Sequence, residues 1–144
     1  MRAPEKIERV LLAEPRGMTA KFIQMFMSAN KVSVDRVTNY RAGLSHLLHP
    51  STDAYDALLI DRQLGFGRLG ETLAQEARNL GFEAYKPIIL FSKEEVQELA
   101  DRPDQDESKS GFIYMSHQVS LMDIWSTMNR FYEQNRPKSS SQAQ

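Results

Sequence analysis

Apolar residues along the chain fall in short clusters that alternate between two periods. Val10-Leu11-Leu12-Ala13 is a continuous apolar run, the signature of a strand buried on both faces. Glu14-Pro15-Arg16-Gly17 breaks it. Met18, Phe22, Met25, Phe26 and Ala29 then recur at helical spacing and predict one apolar helix face, with Asn30 ending the helix. Val32, Val34 and Val37 suit a second strand. Arg41 to Leu48 reads as a short helix with Leu44, Leu47 and Leu48 inward, and His49-Pro50-Ser51-Thr52 is breaker chemistry.

The second half repeats the scheme. Ala57-Leu58-Leu59-Ile60 is a third buried strand, ending on Asp61. Gly65, Gly67 and Gly70 mark a flexible loop. Leu69, Leu73, Ala77 and Leu80 follow at helical spacing, with Gly81 as C-terminal cap. Ile88-Ile89-Leu90-Phe91 is a fourth strand, ending on Ser92. Ser92 can also cap a helix from about Lys93 to Ala100, with Glu95 at the capping-box position. Asp101 to Ser110 is acidic, polar and Pro-containing, and reads as a mobile surface loop. Phe112-Ile113-Tyr114-Met115 is a fifth strand. Leu121, Ile124, Trp125, Met128, Phe131 and Tyr132 form the last amphipathic helix, and Arg136 to Gln144 reads as a disordered tail.

Strand and helix thus alternate five times. That order predicts an α/β fold: a doubly wound, five-stranded parallel sheet with helices on both faces, strand order 2-1-3-4-5. The domain is expected over residues 8–134, with a lead-in at 1–7 and a polar tail at 135–144.

Composition narrows the functional classes. The 144 residues suit one domain. Zero cysteines remove disulfides, thiolate zinc sites and cysteine nucleophiles, and fit a reducing compartment. A formal net charge of -1 argues against a general nucleic-acid or anionic-membrane binder. No apolar run approaches the roughly 20 residues of a membrane span, and the N-terminus lacks a signal-peptide stretch. A cytoplasmic protein is the expectation.

The polar residues that end the strands carry the chemistry. Glu14, Asp61, Ser92 and His117 close or follow the first, third, fourth and fifth strands. In order 2-1-3-4-5 these strands are neighbours, and their carboxyl ends share the edge where open α/β sheets bind ligands. Two carboxylates there repel unless a cation intervenes, and Mg²⁺ takes such ligands. An Asp carboxylate can attack phosphorus, with a hydroxyl (Ser92) and a cation (protonated His117) holding the phosphoryl oxygens.

With that constellation the sequence resembles the receiver domain of two-component response regulators. The residues are VLLAE at 10–14, DALLID at 56–61 with Gln63-Leu64, PIILFS at 87–92 and GFIYMSH at 111–117. The resemblance implies a flavodoxin-like (βα)5 receiver fold and a signalling role rather than an enzyme. It implies that Asp61 is the phosphoacceptor, that Glu14 is the first of an acidic pair, and that the Gln63 backbone carbonyl contributes to Mg²⁺ binding. Ser92 matches the Ser/Thr that binds the phosphoryl group, and Tyr114 matches the aromatic switch residue. A histidine kinase or phosphotransfer protein and a downstream protein target are the implied partners.

Two departures stand out. Pro15 replaces the second acid, which weakens the Mg²⁺ site, and His117 replaces the usual lysine. Gly65 also stands where proline is usual. The expectation is an atypical single-domain receiver acting through protein–protein contacts. Two other readings stay open: a phosphorylation-independent pseudo-receiver, and a flavodoxin-like ligand-binding enzyme, which has no cofactor signature. His46 and His49 read as a surface pair, the glycines at 65 and 67 lack the Lys-Ser/Thr of a P-loop, and the seven methionines read mainly as core filler.

Overall fold

The computed structural model describes residues 5–65, 69–92 and 111–137. Its elements follow the alternating pattern: β1 (Arg9–Ala13), α1 (Gly17–Ala29), β2 (Ser33–Val37), α2 (Tyr40–His46), β3 (Ala57–Asp61), α3 (Leu69–Asn79), β4 (Ile88–Ser92), β5 (Ile113–Ser116) and α4 (Leu121–Asn135). The five strands form one sheet in the order β2-β1-β3-β4-β5, and every adjacent pair is parallel. The helix expected near 93–100 and the loop expected at 101–110 lie outside the described residues, as does most of the C-terminal tail.

The central strands are continuous apolar runs because both of their faces are covered. All five residues of β3 and of β4 are buried. Alternation along each strand then divides the core in two. Val10, Leu12, Leu59, Ile89 and Phe91 pack with α1 and α4 on one face. Leu11, Leu58, Ile60, Ile88 and Leu90 pack with Leu73, Ala74 and Ala77 of α3 on the other.

Helix α1 turns a different face inward from the one its spacing suggested. Ala20, Ile23 and Met27 are buried, while Met18, Phe22 and Met25 are more than half exposed. The helix carries apolar residues around most of its circumference, so periodicity alone does not choose the face. The reading of the methionines as core filler therefore needs correction. Met27, Met115 and Met128 are buried, but Met18, Met25 and Met122 lie on the surface.

Helix α2 stops at His46, and the chain kinks at His49 within the turn Leu47–Ser51. The cause is Pro50, which has no N–H to give and forces the residue before it out of the helical region. His49 accordingly has φ -142° and ψ 110°. Leu47 is buried by this turn, whereas Leu48, also expected inward, is 47% exposed. Gly81 has φ 104°, the left-handed conformation of a C-terminal cap.

Candidate functional site at the carboxyl edge of the sheet

Parallel strands bring the polar strand ends to one edge. Glu14 follows β1, Asp61 is the last residue of β3, Ser92 is the last residue of β4, and His117 follows β5. Asp61 pairs with Phe91, and Ser92 pairs with Ser116. The His117 N–H donates to the Ser92 carbonyl at 3.0 Å, which continues the β4–β5 ladder past its formal end. Glu14, Asp61 and Ser92 are all buried.

Asp61 has distinct surroundings at its two carboxylate oxygens. Oδ1 accepts from the Gln63 backbone N–H at 2.8 Å. Oδ2 lies 3.4 Å from His117 Nε2 and 3.7 Å from Arg16 Nε. Burial raises the Asp61 pKa to about 6, partly opposed by the Gln63 N–H, and the neighbouring Glu14 charge raises it further. Gly70 lies directly beneath this turn: a Cβ there would stand 2.3 Å from the Asp61 carbonyl oxygen.

Glu14 is held by a group that sequence reasoning missed. Its Oε1 accepts from Arg16 Nη2 at 3.0 Å, and its Oε2 accepts from Arg16 Nε at 3.1 Å and from the Arg16 backbone N–H at 3.0 Å. This is a bidentate fork, the strongest form of guanidinium–carboxylate pairing. The hydrogen bonding to Glu14 holds the Arg16 pKa above its ordinary value. Arg36 on β2 fastens the same turn from outside, donating to the Glu14 and Pro15 carbonyls. A permanent cation therefore stands at the edge, three residues after the end of β1. A Glu-x-Arg sequence at a strand end was its only sequence signal.

Arg62, the residue after Asp61, was also missed. Its side chain is almost fully buried; Nε donates to Glu71 Oε1 at 2.8 Å and Nη1 donates to Ser92 Oγ at 3.3 Å. Glu71 Oε2 in turn accepts from the Tyr114 hydroxyl at 3.1 Å, and the Arg62 guanidinium stands 5.7 Å from the centre of the Tyr114 ring. Ser92 and Tyr114, singled out for separate roles, are thus linked through one ion pair.

No family model matches the chain, and no curated protein does. Solved structures do match. The receiver domain of the Francisella response regulator 1452 superposes with TM-score 0.68 and 20% identity, over 90% of this chain and 99% of that one. A CheY-like response regulator receiver domain protein from Methanospirillum hungatei superposes with TM-score 0.71 and 13% identity, over 90% of this chain and 96% of that one.

The fold is that of a response-regulator receiver domain. A structure described as belonging to a family of streptococcal redox sensors, evolved from two-component response regulators, shares this receiver fold. It matches with TM-score 0.68 and 18% identity, over 88% of this chain and 52% of that one. A receiver fold alone therefore does not settle what its carboxyl edge does.

Receiver domains generally bind Mg²⁺ at this acidic edge. The residues here suit it poorly. Pro15 offers no carboxylate, both Glu14 oxygens are occupied by Arg16, and no group of three His, Cys, Asp or Glu side chains gathers among the described residues. No helix among them is long and apolar enough to cross a membrane.

Proposed function

We propose that the chain is an atypical single-domain receiver in phosphorelay signalling that accepts a phosphoryl group on Asp61 and acts through protein–protein contacts. Receiver domains in general work with histidine kinases or phosphotransfer proteins and downstream targets, and the same classes of partner are proposed here, in the cytoplasm. The observation that carries the reading is Asp61 itself: a buried strand-end carboxylate whose Oδ2 faces His117 and Arg16, with Ser92 ending the neighbouring strand.

The chemistry follows from that placement. An ionised Asp61 oxygen attacks the donor phosphorus, a new O–P bond forms, and the donor's P–N bond breaks. The electron pair stays on the donor nitrogen, which takes up a proton. Arg16 and protonated His117 offset the charge on the phosphoryl oxygens, and the Ser92 hydroxyl donates to one of them. Gln63 and Glu14 would contribute to a cation site only where Glu14 gives up Arg16. Tyr114 reports the state of the edge through Glu71 and Arg62.

Incubation of the full chain with phosphoramidate, followed by intact mass measurement, tests this. The expected result is a gain of about 80 Da that Asp61→Ala abolishes. An unchanged mass both with Mg²⁺ and without it supports the pseudo-receiver reading, in which Pro15 and His117 mark a surface used without phosphate.

A further inference from the structure

We propose that the Arg16 guanidinium takes the place of a divalent cation between Glu14 and Asp61, so that this site neutralises its own carboxylates and does not take up Mg²⁺. Phosphoryl acceptance would then be metal-independent, a corollary that rests on the acceptor reading; the metal claim itself does not.

The argument starts from charge. Glu14 and Asp61 are both buried at one edge. Two such carboxylates repel, and a site holding them both ionised needs a cation. Arg16 is that cation: bidentate on Glu14, with Nε 3.7 Å from Asp61 Oδ2. A guanidinium is permanently charged and its fork fits a carboxylate, so it does not vacate the position on a change of pH.

Three local features hold it there. Pro15 fixes its own φ and restricts Glu14 before it, and the Arg16 N–H adds a third hydrogen bond to the same Glu14 carboxylate. Arg36 fixes the turn by its carbonyls. A metal ion entering here would have to displace a bidentate pair and would find only two carboxylates, in a site already carrying a positive charge.

The arrangement also serves the transfer step. Glu14 uses Nε and Nη2 of Arg16 and leaves the two Nη1 donors for another acceptor. A phosphoryl group formed on Asp61 Oδ2 lies beside the guanidinium, whose Nε is 3.7 Å from that oxygen, and beside His117. The bond changes are those given above, with the guanidinium in the charge-balancing role and no further reactant.

The test is Mn²⁺ binding to the full chain, by calorimetry and by the electron paramagnetic resonance signal of free Mn²⁺. The wild type is expected to show no saturable Mn²⁺ binding up to about 1 mM, and Arg16→Gln to bind with Kd of about 0.1 mM or lower, at least about tenfold below that limit. Should Arg16→Gln lose its folded circular dichroism, Arg16→Lys replaces it, since a point charge without the fork releases Glu14 in part. Saturable Mn²⁺ binding by the wild type, or no gain in the variant, overturns the proposal. In the phosphoramidate assay, equal mass gain in Mg²⁺ and in chelator supports it, and gain only in Mg²⁺ overturns it. Absence of gain in both buffers counts against Asp61 as acceptor, and the Mn²⁺ measurement then decides the metal claim alone.

Discussion

The Tyr114 hydroxyl donates to Glu71, and Glu71 is the ion-pair partner of Arg62. Arg62 reaches Ser92 with its other arm. The ring of Tyr114 and the hydroxyl of Ser92 are therefore the two ends of one bridge. Removing its middle takes a carboxylate away from a buried guanidinium. Glu71→Ala is expected to cost about 3 kcal/mol in urea unfolding, and Glu71→Gln distinctly less. Equal costs for the two variants would show that the ion pair contributes nothing.

Asp61 gives stability a pH dependence of known sign. Its pKa rises from the ordinary 3.8 to about 6, so the folded chain binds this proton more tightly than the unfolded chain. The stabilisation is greatest below pH 4 and is lost as pH rises through about 6. Asp61→Asn should raise stability by roughly 1 kcal/mol at pH 7.5, with the gain vanishing near pH 4. Urea unfolding at both pH values checks it. Because the attacking group is the ionised carboxylate, phosphorylation by a small donor should also slow as pH falls below 6.

Gly70 predicts a steric effect on the acceptor itself. An added methyl would lie 2.3 Å from the Asp61 carbonyl oxygen and 2.6 Å from Arg62 Cα, both backbone atoms that cannot step aside. Gly70→Ala is expected to destabilise by about 3 kcal/mol and to reduce phosphoryl acceptance. Gly17→Ala, with open space around its Cβ, is the neutral comparison.

The inward face of α1 is testable by two neighbouring residues. Ile23 is buried and Phe22 is 53% exposed. Ile23→Ala should cost about 2–4 kcal/mol, whereas Phe22→Ala should cost less than about 1 kcal/mol. Thermal unfolding of the two variants would reverse this order if the sequence-based choice of face were right.

The physical reasons for what could and could not be read beforehand are specific. Strands β1, β3 and β4 were legible because burial on both faces leaves no polar residue inside them. Their polar last residues stood out for the same reason, and parallel topology then placed Glu14, Asp61, Ser92 and His117 together. Arg16 and Arg62 were not legible. An arginine beside a breaker or in a loop reads as a solvated charge. What gives each its role is a carboxylate reached through the fold of a turn, Glu14 in one case and Glu71 in the other. The face of α1 was ambiguous because a helix apolar on several sides is assigned by its neighbours. The turn after α2 was half legible: Pro50 announced a break, but the sequence did not show that Leu47 goes into the core while Leu48 stays outside.

At the other end of the sheet Arg78 has a quieter part. Its guanidinium, whose pKa burial lowers to about 10, donates to the carbonyls of Phe82, Glu83 and Lys86 and, at 3.4 Å, to that of Gly111. One side chain of α3 thereby fastens both the approach to β4 and the residue from which β5 sets out. The entry point of β5 is thereby tied to α3. Where the fifth strand begins, and hence where His117 arrives at the opposite edge, is thus governed in part by a side chain on the face of the sheet that α1 and α4 do not cover.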